Sequence, residues 1–344
     1  MWRLCKETEE KSRELRQIFT ETLQEMMSEN NKILALEADL GGASGFLAIK
    51  KSHPAQFLDV GIAEANMIGV AAGLSMLGYI PYVHTFAPFA SRRVEDQVFL
   101  SGAYAGNTMN IYASDPGICA ATNGGTHTSF EDLAFMRALP EALVFDPADD
   151  VQLRWLVREL ASHKGVHYIR ASRKSADRIY ESGSSFEIGK GNIIKEGGSV
   201  LLIAMGEVLG DALRAAHELD QDGISVEVID MFSVKPLDVE LIRRESRGKQ
   251  LVVTFENHSV INGLGSAVSD VLSELGAGIP LKKIGVNDQF GQVGSIPYLK
   301  EAYGLTKEHV KEVIACSLSK FEAGRKVRGI CSDTSGSSDC HTEP

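Results

Sequence analysis

The stretch FLDVGIAEANMIGVAAGLSMLGYIPYVHTFAPFASRRVEDQ, residues 57–97, decides the reading of this chain. FLDV (57–60) has the short apolar character of a buried strand, and a sharp Val60-Gly61 turn follows. Residues 62–78 are almost wholly apolar over a helical length and end at Gly78, a residue that terminates helices readily. IPYVHTF (80–86) reads as a second strand and residues 87–103 as a second helix. Glu64 stands at the head of the first helix, and Phe86 and Phe89 stand at the head of the second. Each feature has an ordinary explanation. The helix dipole favours an acid in a first turn, and phenylalanines are usually core. Their common position, at the carboxyl ends of strands, is where open α/β sheets bind ligands. A carboxylate beside two aromatic rings suits a flat heterocycle that carries a protonatable nitrogen.

The pattern extends in both directions. Apolar residues at helical spacing (Leu15, Ile18, Phe19, Leu23, Met26, Met27) predict an opening amphipathic helix over 5–30. ILALEAD (33–39) predicts a strand, followed by a Gly-rich loop at 41–45. Beyond residue 103, strands at 108–114, 142–146 and 166–170 alternate with helices at 129–138 and 149–162. Such alternation predicts a parallel sheet covered on both faces. The carboxyl-end rule then flags the loops 39–45, 59–66, 84–93 and 114–128.

Residues 171–185, ASRKSADRIYESGSS, break the rhythm, and a second α/β unit follows. Its strands are expected near 199–205, 223–229 and 250–255, with helices near 207–219, 238–246, 260–275 and 306–322. FEIGKGNIIKEGGSV (186–200) reads as a strand pair entering a smaller mixed sheet. The expected architecture is α/β in two domains: 1–172 with a parallel sheet, a linker at 173–186, and a smaller α/β domain at 187–325. Residues 326–344 lack apolar periodicity and are expected to be a disordered tail.

The 344 residues are 44% hydrophobic and 24% charged, with a formal net charge of −11. An acidic chain is a poor partner for nucleic acid or an anionic membrane. No window approaches the roughly 18 apolar residues of a membrane-spanning helix, and the amino terminus has no signal-peptide core. Cys5, Cys119, Cys316, Cys331 and Cys340 are odd in number and lack metal-ligand spacing, which fits free thiols in a cytoplasmic protein.

Residues 57–97 closely resemble the pyrimidine-binding domain of transketolases. NGGTHTSFEDLAFMRALPEALVFDPAD (123–149) is similar to the next block of that family, and ENHSVINGLGSAV (256–268) and IGVNDQFGQVG (284–294) to its C-terminal domain. The resemblance implies thiamine diphosphate as cofactor. Glu64 matches the glutamate that hydrogen-bonds the aminopyrimidine nitrogen, so that the ring's imino form can deprotonate the thiazolium carbon. Phe86 and Phe89 match the aromatics packing that ring, and Asp39 and Ile62 fall on the loops beside it. Arg92 stands where the family often has a third aromatic. His127 matches a histidine that contacts the sugar, with a catalytic role. Arg16 and Arg173 match arginines that grip a sugar phosphate through their planar donors, and Ser44 adds a hydroxyl. Asn123 and Asp115 depart from the family's aspartate and histidine; Asp115 is expected to repel a phosphate, so a specialised sugar substrate is expected.

The resemblance also implies a partner. The family holds the diphosphate through Mg²⁺ on a Gly-Asp-Gly…Asn segment of a preceding domain, and no such segment occurs here. The expectation is half an enzyme, with no metal site of its own. An N-terminal transketolase-type subunit would supply the Mg²⁺ and diphosphate site in an α2β2 assembly. Three other readings stand beside this one: the β subunit of a 2-oxo-acid dehydrogenase decarboxylase component, an acyloin-forming enzyme of a specialised pathway, and a non-catalytic subunit that kept the fold.

Overall fold

The computed structural model describes residues 1–5, 11–276 and 278–332. Seven strands form the first sheet. They are β1 (Ile33–Glu37), β2 (Phe57–Asp59), β3 (Ile80–Phe86), β4 (Met109–Ser114), β5 (Leu143–Phe145), β6 (Val166–Ala171) and, from the second half of the chain, Ser233–Lys235. The first six pair in parallel in the order β5-β6-β4-β3-β1-β2. Strands β4 and β6 are buried along their whole length, and their polar members are paired: Asn110 with His167, Ser114 with His84 and Arg170 with Asp132. The chain winds one way from β1 to β2 and the other way from β1 to β3, so a crevice opens at the carboxyl ends of β1 and β3.

The second sheet contains β7 (Asn192–Lys195), β8 (Val200–Ala204), β9 (Val226–Asp230), β11 (Leu251–Ser259) and β12 (Leu281–Val286), where β10 denotes the Ser233–Lys235 strand. Its order is β12-β11-β8-β9-β7, parallel except for β7. Residues 186–200 therefore carry two strands that do not pair with each other, contrary to the expected strand pair. Strand β7 pairs antiparallel with β9, and β8 lies on β9's other side.

The remaining departures have local causes. The opening helix is Leu15–Glu29 and not 5–30, because the chain before it is used for pairing: Ser12 N–H donates to Ala176 O at 2.9 Å and Cys5 N–H to Ile179 O at 2.9 Å. Segment 173–186 is thus packed against the amino terminus, with Tyr180 fully buried. The expected helix 87–103 breaks at Ser91, whose hydroxyl donates to Ala87 O at 2.6 Å and competes for the helical carbonyl. A short turn Glu95–Gln97 and a π-helical turn Val98–Tyr104 follow. At the other end, the helix from Lys307 runs to Ser332, past the start of the expected tail at 326; residues 333–344, with Cys340, lie outside the described residues. Among the described residues no helix is long and apolar enough to cross a membrane.

Candidate active site

A contiguous chain of side chains forms at the carboxyl ends of β2, β3 and β4. Glu64 begins the helix Glu64–Met76 and is 4% exposed. Arg93 Nη1 donates to its Oε1 at 2.5 Å, and the Arg93 guanidinium lies 3.7 Å from the centre of the Phe89 ring. Phe89 meets Phe86 edge-on at 6.2 Å. The His127 ring stands 5.6 Å from Phe86 and 5.2 Å from Phe89. The guanidinium of Arg173 covers Phe86 at 4.7 Å. Asp115 closes the series, its Oδ2 accepting from Arg173 Nε at 2.6 Å and its Oδ1 from Arg173 N–H at 2.8 Å.

This arrangement brings together Glu64, Phe86, Phe89, His127, Asp115 and Arg173. Asp115, expected as an unpaired carboxylate, is paired in this arrangement. Both oxygens are taken by Arg173, so the carboxylate orients that guanidinium and offers an incoming anion no unpaired like charge. Ser44 lies in the loop after β1. Its hydroxyl is fully buried, donates to Gly41 O at 3.4 Å and accepts from Phe46 N–H at 3.0 Å, shaping its own loop. Arg16 pairs with Glu14 at 2.8 Å and donates to Ala43 O at 3.3 Å, while its backbone N–H reaches Arg173 O at 3.4 Å. Asp39 adopts a left-handed φ of 60°, its N–H held by Asp59 Oδ1 at 3.0 Å. Ile62 is 77% exposed beside Glu64's helix, and Asn123 is exposed at the end of the loop after β4. The structure does not join Asp39, Ile62 or Asn123 to the cluster.

Three residues that sequence reasoning missed stitch the strand ends together beneath the site. Glu37, His84 and Ser114 are fully buried at the ends of β1, β3 and β4. His84 Nδ1 donates to Glu37 Oε1 at 2.5 Å and its Nε2 meets Ser114 Oγ at 2.9 Å. The other Glu37 oxygen accepts from Ala38 and Leu40 N–H groups, fixing the loop after β1. The available signal was one polar residue at the end of each apolar strand.

The second domain supports the site's loops. Gly117, with φ 56°, lies so close to Asn257 that an added Cβ would stand 2.1 Å from Oδ1. Asn257 donates to Pro116 O at 3.0 Å and accepts from Ile118 N–H at 3.0 Å. A Cβ on Gly125 would meet Gly291 O at 2.5 Å, so the His127 loop rests on the IGVNDQFGQVG segment. Arg92 reinforces that loop, donating to Thr128 O at 3.2 Å and Thr126 O at 3.3 Å and pairing with Glu131. Below it, Arg170 is fully buried between Asp132 (2.8 Å) and Asp146 (2.7 Å) and donates to Asn257 O at 3.0 Å. Burial pushes the Asp146 carboxyl up to about 6, partly offset by Arg170. Burial likewise pushes Glu256, which caps the helix Leu264–Leu275 through the Leu264 and Gly265 N–H groups, up to about 7.

Residues 11–177 match the transketolase pyrimidine binding domain, and residues 189–310 match the transketolase C-terminal domain. The chain belongs to the transketolase family. It is 46% identical over 296 residues to a 6-deoxy-6-sulfo-D-fructose transketolase subunit of Clostridium sp. (strain MSTE9), covering 86% of this chain and 92% of that protein. It is 38% identical over 308 residues to a putative transketolase C-terminal section of Methanocaldococcus jannaschii, covering 89% and 96%. Among solved structures, a split gene transketolase described as an inactive beta4 tetramer superposes with a TM-score of 0.81 at 40% identity, covering 90% of this chain and 99% of that one.

Membership of this family implies thiamine diphosphate, and the donor set fits its aminopyrimidine end. A buried carboxylate and two aromatic faces are what a flat, protonatable ring requires. For a metal, no group of three or more His, Cys, Asp or Glu side chains converges among the described residues.

Proposed function

We propose that this chain is the ring-binding subunit of a two-chain, thiamine-diphosphate-dependent transketolase. It transfers a two-carbon ketol unit from a ketose donor to an aldehyde acceptor. The carrying observation is the buried Glu64 joined through Arg93 to Phe89, whose ring meets Phe86 and His127 at the strand ends. When bound, the cofactor supplies a nucleophilic carbon and an electron sink. Glu64 holds the proton at the pyrimidine nitrogen, the two phenylalanines orient the ring, and His127 meets the sugar. Arg173, aimed by Asp115 and set against the backbone of Arg16, binds an anionic group at the far end of the donor. A sulfonate or a phosphate meets that requirement. The similarity to a subunit acting on 6-deoxy-6-sulfo-D-fructose supports a donor of this class.

The diphosphate and its Mg²⁺ belong, in this reading, to an N-terminal transketolase-type subunit in an α2β2 assembly working in the cytoplasm. Relatives that this chain nearly spans are themselves subunits or sections. An open apolar face supports the partner. Along the Glu64 helix, Gly69 and Gly73 have free space where a Cβ would lie, and Met76, Leu77 and Tyr104 are 77%, 71% and 83% exposed. Close approach of a helix to such a face needs small residues. Isothermal titration tests the division of labour. Thiamine diphosphate with Mg²⁺ is expected to bind the two-chain complex tightly and the isolated chain poorly; tight, Mg²⁺-dependent binding to the isolated chain contradicts it.

A further inference from the structure

Arg93 is placed where a ligand would be. Its guanidinium is flat, cationic and rich in N–H donors; it lies 3.7 Å over the Phe89 ring and donates to Glu64 at 2.5 Å. An aminopyrimidine at this site would make the same two contacts: a stacked face and a donated hydrogen bond to the carboxylate. Both groups cannot occupy that place together. Resting on the ring-site reading above, we propose that Arg93 occupies the aminopyrimidine position of the free subunit and sets the affinity with which the ring enters it.

Arg93 is built to leave and Arg92 to stay. The Arg93 side chain is 43% exposed whereas that of Glu64 is 5% exposed, so the pair has one solvated end. Its exposed end lets the guanidinium turn out to water on its flexible stem while Glu64 stays in place. Arg92, its neighbour, is held by the Glu131 carboxylate and two backbone carbonyls of the His127 loop. The helical turn Ala87–Ala90 ends before both arginines. The Arg93 backbone N–H makes a long bond to Pro88 O, 3.3 Å.

The arrangement also serves the empty subunit. A buried carboxylate without a counter-charge is costly. Arg93 compensates Glu64 until a ring displaces it, and then turns outward to water. A competent site is therefore only a fraction of the free population, and apparent affinity falls by that fraction.

The test uses the full chain and thiamine, which lacks the diphosphate and so reports the ring site alone, followed by ligand-observed NMR titration. Arg93→Met removes the cation but keeps an apolar stem; Arg93→Gln is the second variant should the first fold poorly. Freeing the site is expected to tighten thiamine binding roughly tenfold, the gain when an occupant held about nine-tenths of the population. Free guanidinium ion is expected to compete with thiamine in the Arg93 variant, restoring the occupant that the substitution removed. Equal or weaker thiamine binding in the Arg93 variants, with binding to the parent still dependent on Glu64, overturns the proposal and leaves the ring site intact. Thiamine binding indifferent to Glu64→Ala, or absent from parent and variants alike, overturns the ring site itself and the proposal with it.

Discussion

Arg170 and Arg93 lie in the same domain, and each pairs with carboxylate, but their surroundings differ. Arg170 is fully buried, with Asp132 on one side, Asp146 on the other and the Asn257 carbonyl at its tip. Burial disfavours its charge, and the two carboxylates outweigh burial and hold it charged. Arg93 has one carboxylate, one aromatic face and an open side. Arg173 lies between the two, stacked on Phe86 and held by Asp115 with its side chain 18% exposed. The difference separates architecture from function. A cation enclosed by partners can only hold two domains together, and a cation with a free edge can give way to a ligand or grip one.

The largest effect is expected at the buried knot. Arg170→Met leaves Asp132 and Asp146 facing each other without a counter-charge, and is expected to cost about 3–5 kcal/mol. Urea unfolding measures this; a loss below about 1 kcal/mol, the level of an exposed pair, would erase the distinction.

A second buried knot, around Asp230, responds to pH. Asp230 accepts from Tyr180 at 2.5 Å and Gln152 at 2.8 Å, joining the second sheet to the first domain and the connecting segment. Burial, partly offset by those donors, raises its pKa from 3.8 to about 6. The folded state therefore holds the proton more tightly than the unfolded chain. That contribution is complete below the unfolded pKa and is lost as pH rises through the folded value. Between about pH 4 and pH 7, the stability of the parent is expected to fall relative to Asp230→Asn by up to about 3 kcal/mol. Chemical denaturation at both pH values checks the sign, and a constant difference would contradict it.

Asp115→Asn keeps the hydrogen bond to the Arg173 backbone and removes the charge that aims its guanidinium. The KM for an anion-ended ketose is expected to rise roughly tenfold, about 1.4 kcal/mol, with kcat nearly unchanged. Steady-state kinetics with a sulfonated or phosphorylated donor against an uncharged ketose reads this. An equal rise for the uncharged donor would mean that Asp115 and Arg173 only shape the loop.

The parts of the site that were legible in the sequence are those that lie close together along it. Glu64, Phe86 and Phe89 fall within one strand–helix–strand segment, and the alternating elements around them place all three at strand ends. The two-domain α/β layout was legible for the same reason. What was not legible depends on contacts between distant segments. Asp115 was read as a repelling charge because its partner, Arg173, lies one parallel strand away, across the β4–β6 pair. Glu37, His84 and Ser114 come together only once β1, β3 and β4 lie side by side in register. The break at Ser91 depends on one side-chain hydroxyl competing for a helical carbonyl, which apolar periodicity does not reveal.

In the proposed function Glu64, the buried carboxylate at the head of its helix, is the group that activates the cofactor. The most direct measurement is single-turnover consumption of the ketose donor by the assembled two-chain complex, comparing the parent with Glu64→Gln. The amide keeps the shape of the side chain but cannot share a proton with the ring nitrogen. The rate is expected to fall by about 10²–10⁴-fold with the melting temperature of the complex unchanged. A Glu64→Gln complex that consumes donor at the parent's rate would show Glu64 to be an ordinary helix-start carboxylate and would contradict the account.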